Sequence, residues 1–570
     1  MQHILLPTRH GLIFECWLKK TSPYNDGEPL LILESNNQIL YKIIDAPHYY
    51  EHFSYQHFTD RPLLLTVSDA VEISLAYIYQ PEEVYQQGVT YLSNHHGQLS
   101  LVGMEEMEQW YQHEAYRPQQ HFSPFKAWMN DPNGLCKMGD TYHLFYQLHP
   151  NDTEWGPMHW GHAISKDLLR WTHLPVFNFP QQNLAALGAT GGAFSGTAYI
   201  NEAGQPSFFY TERLPAYDLY KDYIEIQKKA EFDRHGIKAA AIRTVIDRKP
   251  EKVGCDIRDP KVWYDKEHRL YRMILGSVYE GHPAILQYTS QDSENWVFFN
   301  VLYQAPAHFS QNQGRCVECP DFFPLGNKWV LIMGIVGYKE VETNRFNLLY
   351  ALTGQFDNGE FLPDSDELQV LDFATEFYAL QTFNDGQRQI GLAWLFNWAM
   401  KKPIASAYNG EMSIPKVLTI NNNNRVCMQP IAELDNYVSG CAHFNIESEH
   451  TQFVNEGKTI RLRLAPETMK PFSIRLMSDS GHWIALDFDR QKVSITEDQP
   501  CDGLYESMVN HIDDIDLLFD AGILEIFING GEICATKRNY LIPACSHIDF
   551  SFAENNKITA KLETLCTSWT

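Results

Sequence analysis

The sequence predicts an all-β protein in three parts: a β-rich N-terminal domain (residues 1–112), a five-bladed β-propeller (113–418) and a C-terminal β-sandwich (419–570). Three observations lead to this prediction. Short alternating apolar runs bounded by Gly, Asn, Asp and Pro dominate after about residue 120. One strand-and-turn pattern recurs five times at nearly constant spacing. That pattern stops near residue 418, where simpler alternation takes over.

The N-terminal part shares none of the repeat. Three runs have the composition of strands, "PLLILES", "RPLLLTVSD" and "VEISLAYIY", and two have that of short helices, "PEEVYQQ" and "MEEMEQWYQ". We therefore expect a small accessory domain that serves assembly or the outer part of a binding site, and not the chemistry itself.

The repeat defines the middle of the chain. Its five segments share a small or acidic opening, a strand, a polar turn and an apolar strand: "NDPNGLCKMGDTYHLFYQ", "FSGTAYINEAGQPSFFYT", "RDPKVWYDKEHRLYRMIL", "ECPDFFPLGNKWVLIMG" and "FYALQTFNDGQRQIGLAW". The segments are marked, about 60 residues apart, by Asp131, Ser195, Asp259, Glu318 and Tyr378. Five four-stranded sheets arranged radially would bring these markers together at one end of the central axis. A long sandwich with chance spacing is the alternative.

The C-terminal part has alternating strands and no further marker. "GHWIALDFD" and "LEIFINGG" alternate with period two and end in turn residues. A sandwich of two sheets is the simplest fold for such a pattern.

The composition excludes some partners. The 570 residues include 71 acidic and 45 basic side chains, for a formal net charge of −26, which repels nucleic acid and anionic membranes. The first twenty residues lack a basic leader with an apolar run, and no later segment reaches about eighteen consecutive apolar residues. The eleven cysteines are scattered without a disulfide framework. We expect a cytoplasmic protein with a small-molecule partner, and the sequence leaves open whether it forms a homo-oligomer.

Neither a metal nor a cofactor is expected. Cys316 and Cys319 have CxxC spacing, but no second pair or nearby His cluster completes a zinc site. His159 and His162 lack a third ligand, so packing explains them better. The segment 221–258 is locally basic and could hold a substrate phosphate, although a solvated basic face is the simpler explanation.

Three of the five markers, Asp131, Asp259 and Glu318, are carboxylic acids. Asp131 lies in "NDPNG", which by itself is typical of a surface turn. Three carboxylates in one pocket would repel one another and lower the stability of the fold. A cluster that is kept despite this loss of stability suggests a functional site. Calcium binding would need ligands at closer spacing, whereas glycosidic cleavage needs a nucleophile, an acid and sugar-binding groups. The marker segments supply such groups: Asn130, Gln147, Trp155, Ser195 and Arg258.

At this point the sequence resembles a known family. "WMNDPNG", "FYQLHP", "WGPMHWGHAISKDLLRW", "FSGTA", "RDP", "ECPDFFPL" and "FYALQTF" are similar, in order and approximate spacing, to motifs of glycoside hydrolase family 32, the invertase and β-fructosidase family. The similarity begins near Tyr116 and runs to the end of the chain. "CVECP" departs from the family at Cys316 and Val317, where Met-Trp is common, and this departure concerns recognition of the leaving group.

The resemblance implies a role for each candidate residue. Asp131 would be the nucleophile and Glu318 the general acid/base, while Asp259 would stabilise the transition state with Arg258 beside it. The family's fructose-binding positions match Asn130, Gln147, Trp155, Phe194 and Ser195. Gln147 and Ser195 could instead satisfy buried backbone groups. Trp128 and Trp160 could be core residues as readily as sugar platforms.

The expected function is retaining hydrolysis of terminal β-D-fructofuranosyl units from sucrose, sucrose 6-phosphate or short fructo-oligosaccharides. For that reaction Asp131 must be ionised while Glu318 is protonated, and we expect Arg258 to favour the ionised aspartates. A fructosyltransferase would use the same residues and intermediate. A non-catalytic fructoside-binding protein is the alternative from a different class, and it would have no need of all three carboxylates.

Overall fold

The computed structural model describes residues 1–7, 9–21, 27–95, 98–215, 223–395, 406–453, 459–467, 470–499, 503–552 and 557–569. Within these ranges nearly all regular structure is antiparallel β-sheet, as the alternating runs predict. The same ranges contain no helix with the length and apolar character needed to cross a bilayer.

In its described residues, the N-terminal region forms two sheets and two helices. Its strands are β1 (Gln2–Leu6), β2 (Ile13–Lys20), β3 (Leu31–Ser35), β4 (Gln38–Ile43), β5 (Glu51–Gln56), β6 (Leu63–Val67), β7 (Val71–Tyr79), β8 (Thr90–His95) and β9 (Gln98–Val102). The helices are α1 (Val84–Gln87) and α2 (Met104–His113). The sheet orders are β1-β6-β3-β4 and β5-β2-β7-β8-β9. Strands β3, β6 and β7 and both helices lie in the five runs that the sequence singled out.

Five consecutive sheets follow. Sheet 1 contains β10 (Ala127–Met138), β11 (Thr141–His149), β12 (His159–Ser165) and β13 (Trp171–Asn178). The helix α3 (Leu184–Leu187) follows. Sheet 2 contains β14 (Gly192–Ile200), β15 (Pro206–Leu214), β16 (Ile224–Phe232) and β17 (Ala239–Ile246). Sheet 3 contains β18 (Val253–Asp265), β19 (Leu270–Tyr279), β20 (His282–Ser290) and β21 (Val297–Gln304). In each sheet the strands pair with their neighbours in chain order.

The fourth and fifth sheets complete this part. After α4 (Ala307–Gln311), sheet 4 contains β22 (Val317–Leu325), β23 (Lys328–Ile335), β24 (Leu349–Asp357), β25 (Glu360–Pro363) and β26 (Gln369–Val370). Sheet 5 begins with β27 (Tyr378–Asn384) and β28 (Gln389–Leu395), and the next strand along the chain, β29 (Tyr408–Asn409), pairs with β10 of sheet 1. Sheet 5 is completed by β30 (Glu411–Met412), β31 (Lys416–Ile420) and β32 (Val426–Pro430).

The first strands of the five sheets contact one another in a closed ring. β10 contacts β14, β14 contacts β18, β18 contacts β22, β22 contacts β27, and β27 contacts β10. The parallel pairing of β29 with β10 joins the end of the ring to its beginning. One end of every first strand therefore faces the same central space.

Each first strand has a β-bulge at the same place. The pairing register shifts between Met129 and Pro132 in β10, and equivalent shifts follow Ala193, Arg258, Glu318 and Tyr378. A bulge breaks the two-residue alternation of a strand, so adjacent side chains can point into the same space. The predicted markers occupy different positions of this bulge: Glu318 precedes the shift, whereas Asp131 lies inside it.

The fifth sheet extends beyond residue 418, where the sequence placed the end of the propeller. β31 pairs with β28, and β32 pairs with β31, so this sheet continues to Pro430. The residues after 418 alternate like any strand, and only the pairing shows which sheet they join.

The C-terminal region begins after a 3₁₀ helix (Ala432–Tyr437), and the part that the structure describes has two six-stranded sheets. The strands are β33 (Val438–Ile446), β34 (His450–Phe453), β35 (Thr459–Pro466), β36 (Phe472–Met477), β37 (Trp483–Asp489), β38 (Lys492–Glu497), β39 (Glu506–Met508), β40 (Ile515–Asp520), β41 (Ile523–Ile528), β42 (Ile533–Arg538), β43 (His547–Phe552) and β44 (Ile558–Leu565). The sheet orders are β33-β44-β35-β40-β41-β42 and β34-β43-β36-β37-β38-β39. Apolar residues from both sheets form one core, as the predicted sandwich requires.

The N-terminal region and sheet 1 share a hydrophobic core. Trp17 and Tyr77 belong to the same buried cluster as Leu144 and Val176. The Tyr77 hydroxyl accepts a hydrogen bond from the Val176 backbone N–H at 3.1 Å. The N-terminal sheets are therefore packed into the molecule and are not a loosely attached accessory.

Candidate active site

All nine residues singled out for the site line one pocket. The pocket has a volume of about 270 Å³ and lies at the bulged end of the ring of sheets. Four further residues complete its wall: Arg213, Arg315, Tyr378 and Trp394.

Asp131 lies in the bulge of β10 and is held from two sheets. The Asn130 side-chain amide donates to its Oδ1 at 3.1 Å, and the Ser195 hydroxyl donates to its Oδ2 at 2.6 Å. Trp128 Nε1 in turn donates to Asn130 Oδ1 at 2.8 Å, which fixes the direction of that amide. Burial raises the pKa of Asp131, while these hydrogen bonds oppose the rise. The local turn chemistry and the bulge thus aim this carboxylate into the pocket.

Asp259 occupies the equivalent bulge of β18 with a left-handed backbone, φ 60°. Its backbone N–H donates to Thr211 Oγ1 at 3.0 Å, and its carboxylate accepts the Cys319 backbone N–H at 2.8 Å. Burial raises the pKa of Asp259 to about 7, and the charges of Glu318 and Asp131 add to the rise while Arg258 opposes it. The side chain is 5% exposed, so its ionised form is poorly solvated.

Glu318 is held by one cation and one phenol. Arg258 donates to Glu318 Oε1 from Nε at 3.1 Å and from Nη2 at 3.0 Å, and the Tyr378 hydroxyl donates to Oε2 at 3.2 Å. Arg258 favours the ionised form of Asp259 by its charge, as expected, but its hydrogen bonds to the catalytic candidates go to Glu318. The bulge explains the difference, because Arg258 and Glu318 both precede a register shift in adjacent first strands.

Arg258 is itself positioned by buried acids. Its Nη1 lies 3.1 Å from Glu225 Oε1 and 2.5 Å from Asp256 Oδ1, and its Nη2 donates to Cys316 Sγ at 3.2 Å. Only 2% of the arginine side chain is exposed. This fixed guanidinium can orient Glu318 without reorganising during a reaction.

The remaining candidates form the polar and aromatic wall. Gln147 donates to the Ala193 carbonyl at 2.9 Å, so part of its role is to satisfy a buried backbone group. The rings of Trp155 and Phe194 meet edge to face at 6.0 Å. Trp128 and Trp160 are almost completely buried and belong to the core. Trp160 Nε1 nevertheless donates to the Phe194 carbonyl at 3.0 Å and helps to hold that strand.

Sequence reasoning missed Arg213, Arg315 and Trp394, and it placed Tyr378 among the converging markers without giving it a role in the site. Tyr378 carried a signal, because it opens the fifth segment at the level of the other markers. Arg315 lies three residues before Glu318, is exposed, and has its Nε 3.3 Å from Asp256 Oδ2. Arg213 stacks on Phe194 at 4.3 Å from the ring centroid. Arg213 and Trp394 carry no local sequence signal, since long-range packing brings them to the pocket.

The cysteines and histidines that were considered as metal ligands make other contacts in the structure. Cys319 Sγ donates to Asp131 Oδ2 at 3.6 Å, while Cys316 contacts Arg258, so the two thiols face different partners. His143 Nδ1 and His162 Nε2 are 3.0 Å apart in a buried contact. No cluster of three or more potential metal ligands occurs in the part of the chain that the structure describes.

The basic segment 221–258 is extensively ion-paired. Its partners lie in several elements: Lys228 with Glu212, Lys229 and Arg243 with Glu294, Lys238 with Glu15, and Lys252 with Glu280. These cations pair with carboxylates, whereas the sequence favoured a solvated basic face over a phosphate site. Lys221, also part of the segment, lies outside the described residues.

The pocket at the end of the ring of antiparallel sheets holds three carboxyl groups, which are the groups that carboxylate-based glycosidases use. Comparison with known proteins identifies the family. The model of the glycosyl hydrolases family 32 N-terminal domain matches residues 121–430, and that of the family 32 C-terminal domain matches residues 438–568. The chain belongs to glycoside hydrolase family 32.

Individual relatives agree with this assignment. A levanase of Bacillus subtilis (strain 168) is 30% identical over 432 residues, which cover 68% of this chain and 59% of the levanase. A sucrose-6-phosphate hydrolase of Escherichia coli is 30% identical over 449 residues, covering 75% of this chain and 90% of that protein. The chain thus spans about three fifths of the levanase's length.

A solved structure extends the similarity to the N-terminal sheets. A glycoside hydrolase family 32 protein from Bifidobacterium adolescentis has a TM-score of 0.86 at 20% identity, and the alignment covers 100% of both chains. At this identity the likeness concerns the fold alone.

Proposed function

We propose that this protein is a retaining β-fructofuranosidase that releases terminal β-D-fructofuranosyl units from sucrose, sucrose 6-phosphate or short fructo-oligosaccharides. The observation that carries the proposal is one pocket in which Asp131 is oriented by Asn130 and Ser195 while Glu318 lies on another sheet with its own cation. The relatives named levanase and sucrose-6-phosphate hydrolase support a fructoside as substrate.

The first step forms a covalent intermediate. Asp131 attacks the anomeric carbon, the bond to the leaving oxygen breaks, and Glu318 gives that oxygen its proton. Because the pKa of Asp259 is raised to about 7, the three-carboxyl cluster retains a proton at mildly acidic pH. Hydrogen bonds from Ser195 and Asn130 hold Asp131 in position for attack.

The second step regenerates the protein. Glu318, now a carboxylate, removes a proton from water, and the water oxygen attacks the same carbon to release Asp131. Two inversions at one carbon keep the β-configuration. If a sugar hydroxyl replaces water, the same site becomes a fructosyltransferase, so the ratio of free fructose to transfer product at high substrate separates these two activities.

The test is hydrolysis of sucrose followed by proton NMR. The wild type should release fructose first as the β-anomer, and Asp131→Asn should lose at least about a thousand-fold in kcat, because the covalent step needs a carboxylate. Asp140→Asn, at an acid whose side chain is 86% exposed, is the matched control and should keep wild-type activity. Absence of any fructose from the wild type would favour the non-catalytic binding protein.

We also infer that the five sheets are the five blades of a propeller and that the C-terminal sheets form its companion sandwich. The closed ring of first-strand contacts and the bulge shared by all five strands support this arrangement. The axis then ends in the pocket on one side, where the substrate would enter.

A further inference from the structure

A second cavity lies at the opposite ends of the same first strands. It has a volume of about 780 Å³, larger than the pocket that holds Asp131. Its wall comes from all five first strands past their midpoints and from adjoining turns. It includes Lys137, Tyr199, Trp263, Tyr264, Trp329 and Asn384. We call it the distal cavity.

A polar layer separates the distal cavity from the carboxylate pocket. Lys261 Nζ donates to the Thr382 carbonyl at 2.6 Å and lies 2.8 Å from Asp321 Oδ1. The Thr382 backbone N–H donates to Asp321 Oδ2 at 2.5 Å, so sheets 3, 4 and 5 are tied together across the axis. Trp263 follows Asp259 by four residues, or roughly 13 Å along an extended strand. A ligand in the distal cavity would therefore be separate from a substrate at Asp131.

Partly exposed aromatic rings form much of the wall. The Trp263 ring lies 6.0 Å from that of Trp329 and 6.1 Å from that of Phe356, which makes a continuous aromatic surface. Tyr199 and Tyr264 both pack on Tyr271, at 5.5 and 5.0 Å between ring centroids. Rings supported in this way keep their faces in place, and a flat apolar face suits the C–H face of a sugar ring.

The charges around the cavity are nearly balanced. Three lysines and four carboxylates line it. Several are already paired, among them Lys261 with Asp321 and Asp265 with His268, whose Nδ1 lies 2.9 Å from the carboxylate. In the polar layer Lys261 donates one hydrogen bond, to the Thr382 carbonyl, and forms an ion pair with Asp321. Asn384 adds an exposed amide at the wall. This mixture offers hydrogen bonds without selecting an ion.

We propose that the distal cavity is a second, non-catalytic binding site for a neutral oligosaccharide of two or three units. The volume falls in the range of small-molecule sites, which combine apolar walls with a few polar groups. The ligand class follows from the lining, whereas the choice of a fructoside as probe rests on the proposed function.

The experiment uses the full chain carrying Asp131→Asn, so that the probe is not consumed. A fructosyl trisaccharide is titrated by calorimetry, and maltotriose is titrated in parallel. We expect two binding events with the fructosyl probe, and one of them should persist when the pocket is saturated with fructose. Tyr264→Ala should weaken the persistent event at least about ten-fold and leave the other unchanged, while Tyr49→Ala, at a tyrosine of the N-terminal region with 37% exposure, should change neither.

Hydrogen exchange on the same chain gives a readout that needs no cavity variant. The trisaccharide should protect residues 261–268 and 382–386, and inorganic phosphate should not. A single binding event that is lost with fructose, with no protection in those segments, would overturn the distal site while leaving the proposed function intact. Distal binding without any pocket binding would support the distal site and count against the proposed function. Binding of maltotriose alone would support a neutral oligosaccharide site that is not selective for fructosides.

Discussion

At the scale of single residues, the site is defined by how each carboxyl group is held. Asp131 accepts hydrogen bonds from two sheets, Asp259 accepts a backbone N–H, and Glu318 is held by Arg258 and Tyr378. The three groups therefore differ in environment although they share one pocket. This difference is what two opposite roles in acid–base chemistry require.

The first prediction separates the nucleophile from the acid/base. With a fructoside whose leaving group needs no protonation, Glu318→Ala should still form the bond to Asp131, but hydrolysis of the adduct should stall because no base activates water. Mass spectrometry should find one added hexosyl unit on the peptide that contains Asp131. Azide should restore turnover and give a β-configured product. An adduct on another acid would contradict these roles.

The second prediction concerns stability and pH. The pKa of Asp259 is about 7 in the folded protein against roughly 4 in an unfolded chain, so between these values only the folded state holds the proton. Stability from this group is present at low pH and is lost as pH rises toward 7. Asp259→Asn should therefore stabilise the protein more at pH 8 than at pH 5, and its gains in unfolding free energy at the two pH values should differ by up to about 3 kcal/mol.

The control for that measurement is Asp479→Asn, which changes an exposed acid in the C-terminal region. Its effect on melting should be small and nearly the same at both pH values. An Asp259→Asn protein that gains no more stability at pH 8 than at pH 5 would contradict the raised pKa.

At the scale of elements, bulges and one loop deliver the side chains to the pocket. The bulges of the first strands carry most of the candidates, whereas Trp155 lies on the loop 150–158 between β11 and β12. That loop is anchored to sheet 1, because the Asp152 backbone carbonyl accepts a hydrogen bond from the Trp128 backbone N–H at 2.9 Å. It is also anchored to the N-terminal region, because the Ser74 hydroxyl donates to Asn151 Oδ1 at 2.8 Å.

The third prediction tests this second anchor. Ser74→Ala should raise KM for sucrose about five-fold, since a typical hydrogen bond contributes about 1 kcal/mol and its loss frees the loop that presents Trp155. The value of kcat should stay within about two-fold, because the carboxylates are untouched. Ser74→Thr keeps the hydroxyl and should restore KM. The control is Ser68→Ala, in a turn of the same region, where the hydroxyl accepts the Ala70 backbone N–H. This variant should have the KM of the wild type. Equal KM values for Ser74→Ala and Ser68→Ala would contradict the prediction.

At the scale of the whole molecule, the N-terminal region completes the packing of the ring of sheets. Glu15 is fully buried and accepts hydrogen bonds from Tyr77 and Tyr79 at 3.0 and 2.9 Å, and its ion pair with Lys238 reaches the loop after β16. Burial raises the pKa of Glu15, but Lys238 and His52 outweigh this effect and lower the pKa to about 2. Sheets 1 and 2 are thus both tied to the N-terminal region. Cytoplasmic location stays a prediction.

The fourth prediction follows from the shared core. A chain that begins at residue 114 loses Trp17, Tyr77 and Tyr111 and exposes the apolar side chains that they cover on sheet 1. This chain should aggregate, or it should melt more than about 10 °C below the full chain. Phe58→Ala, at an N-terminal residue with 64% exposure, should leave melting unchanged. A truncated chain that melts like the full protein would show that the region is an independent accessory.

The sequence predicted that the chain is β-structured and that one unit recurs five times, and its resemblance to the family predicted the nine candidates that line the pocket. Strand alternation and turn chemistry are local, so they can be read from neighbouring residues. The tertiary structure alone decided that Arg258 contacts Glu318, that Arg213 and Trp394 join the pocket, and that sheet 5 runs to Pro430. These outcomes depend on bulges, which break the two-residue alternation, and on pairing between distant strands. A local pattern contains neither kind of information, because both are settled only when the strands pack against one another.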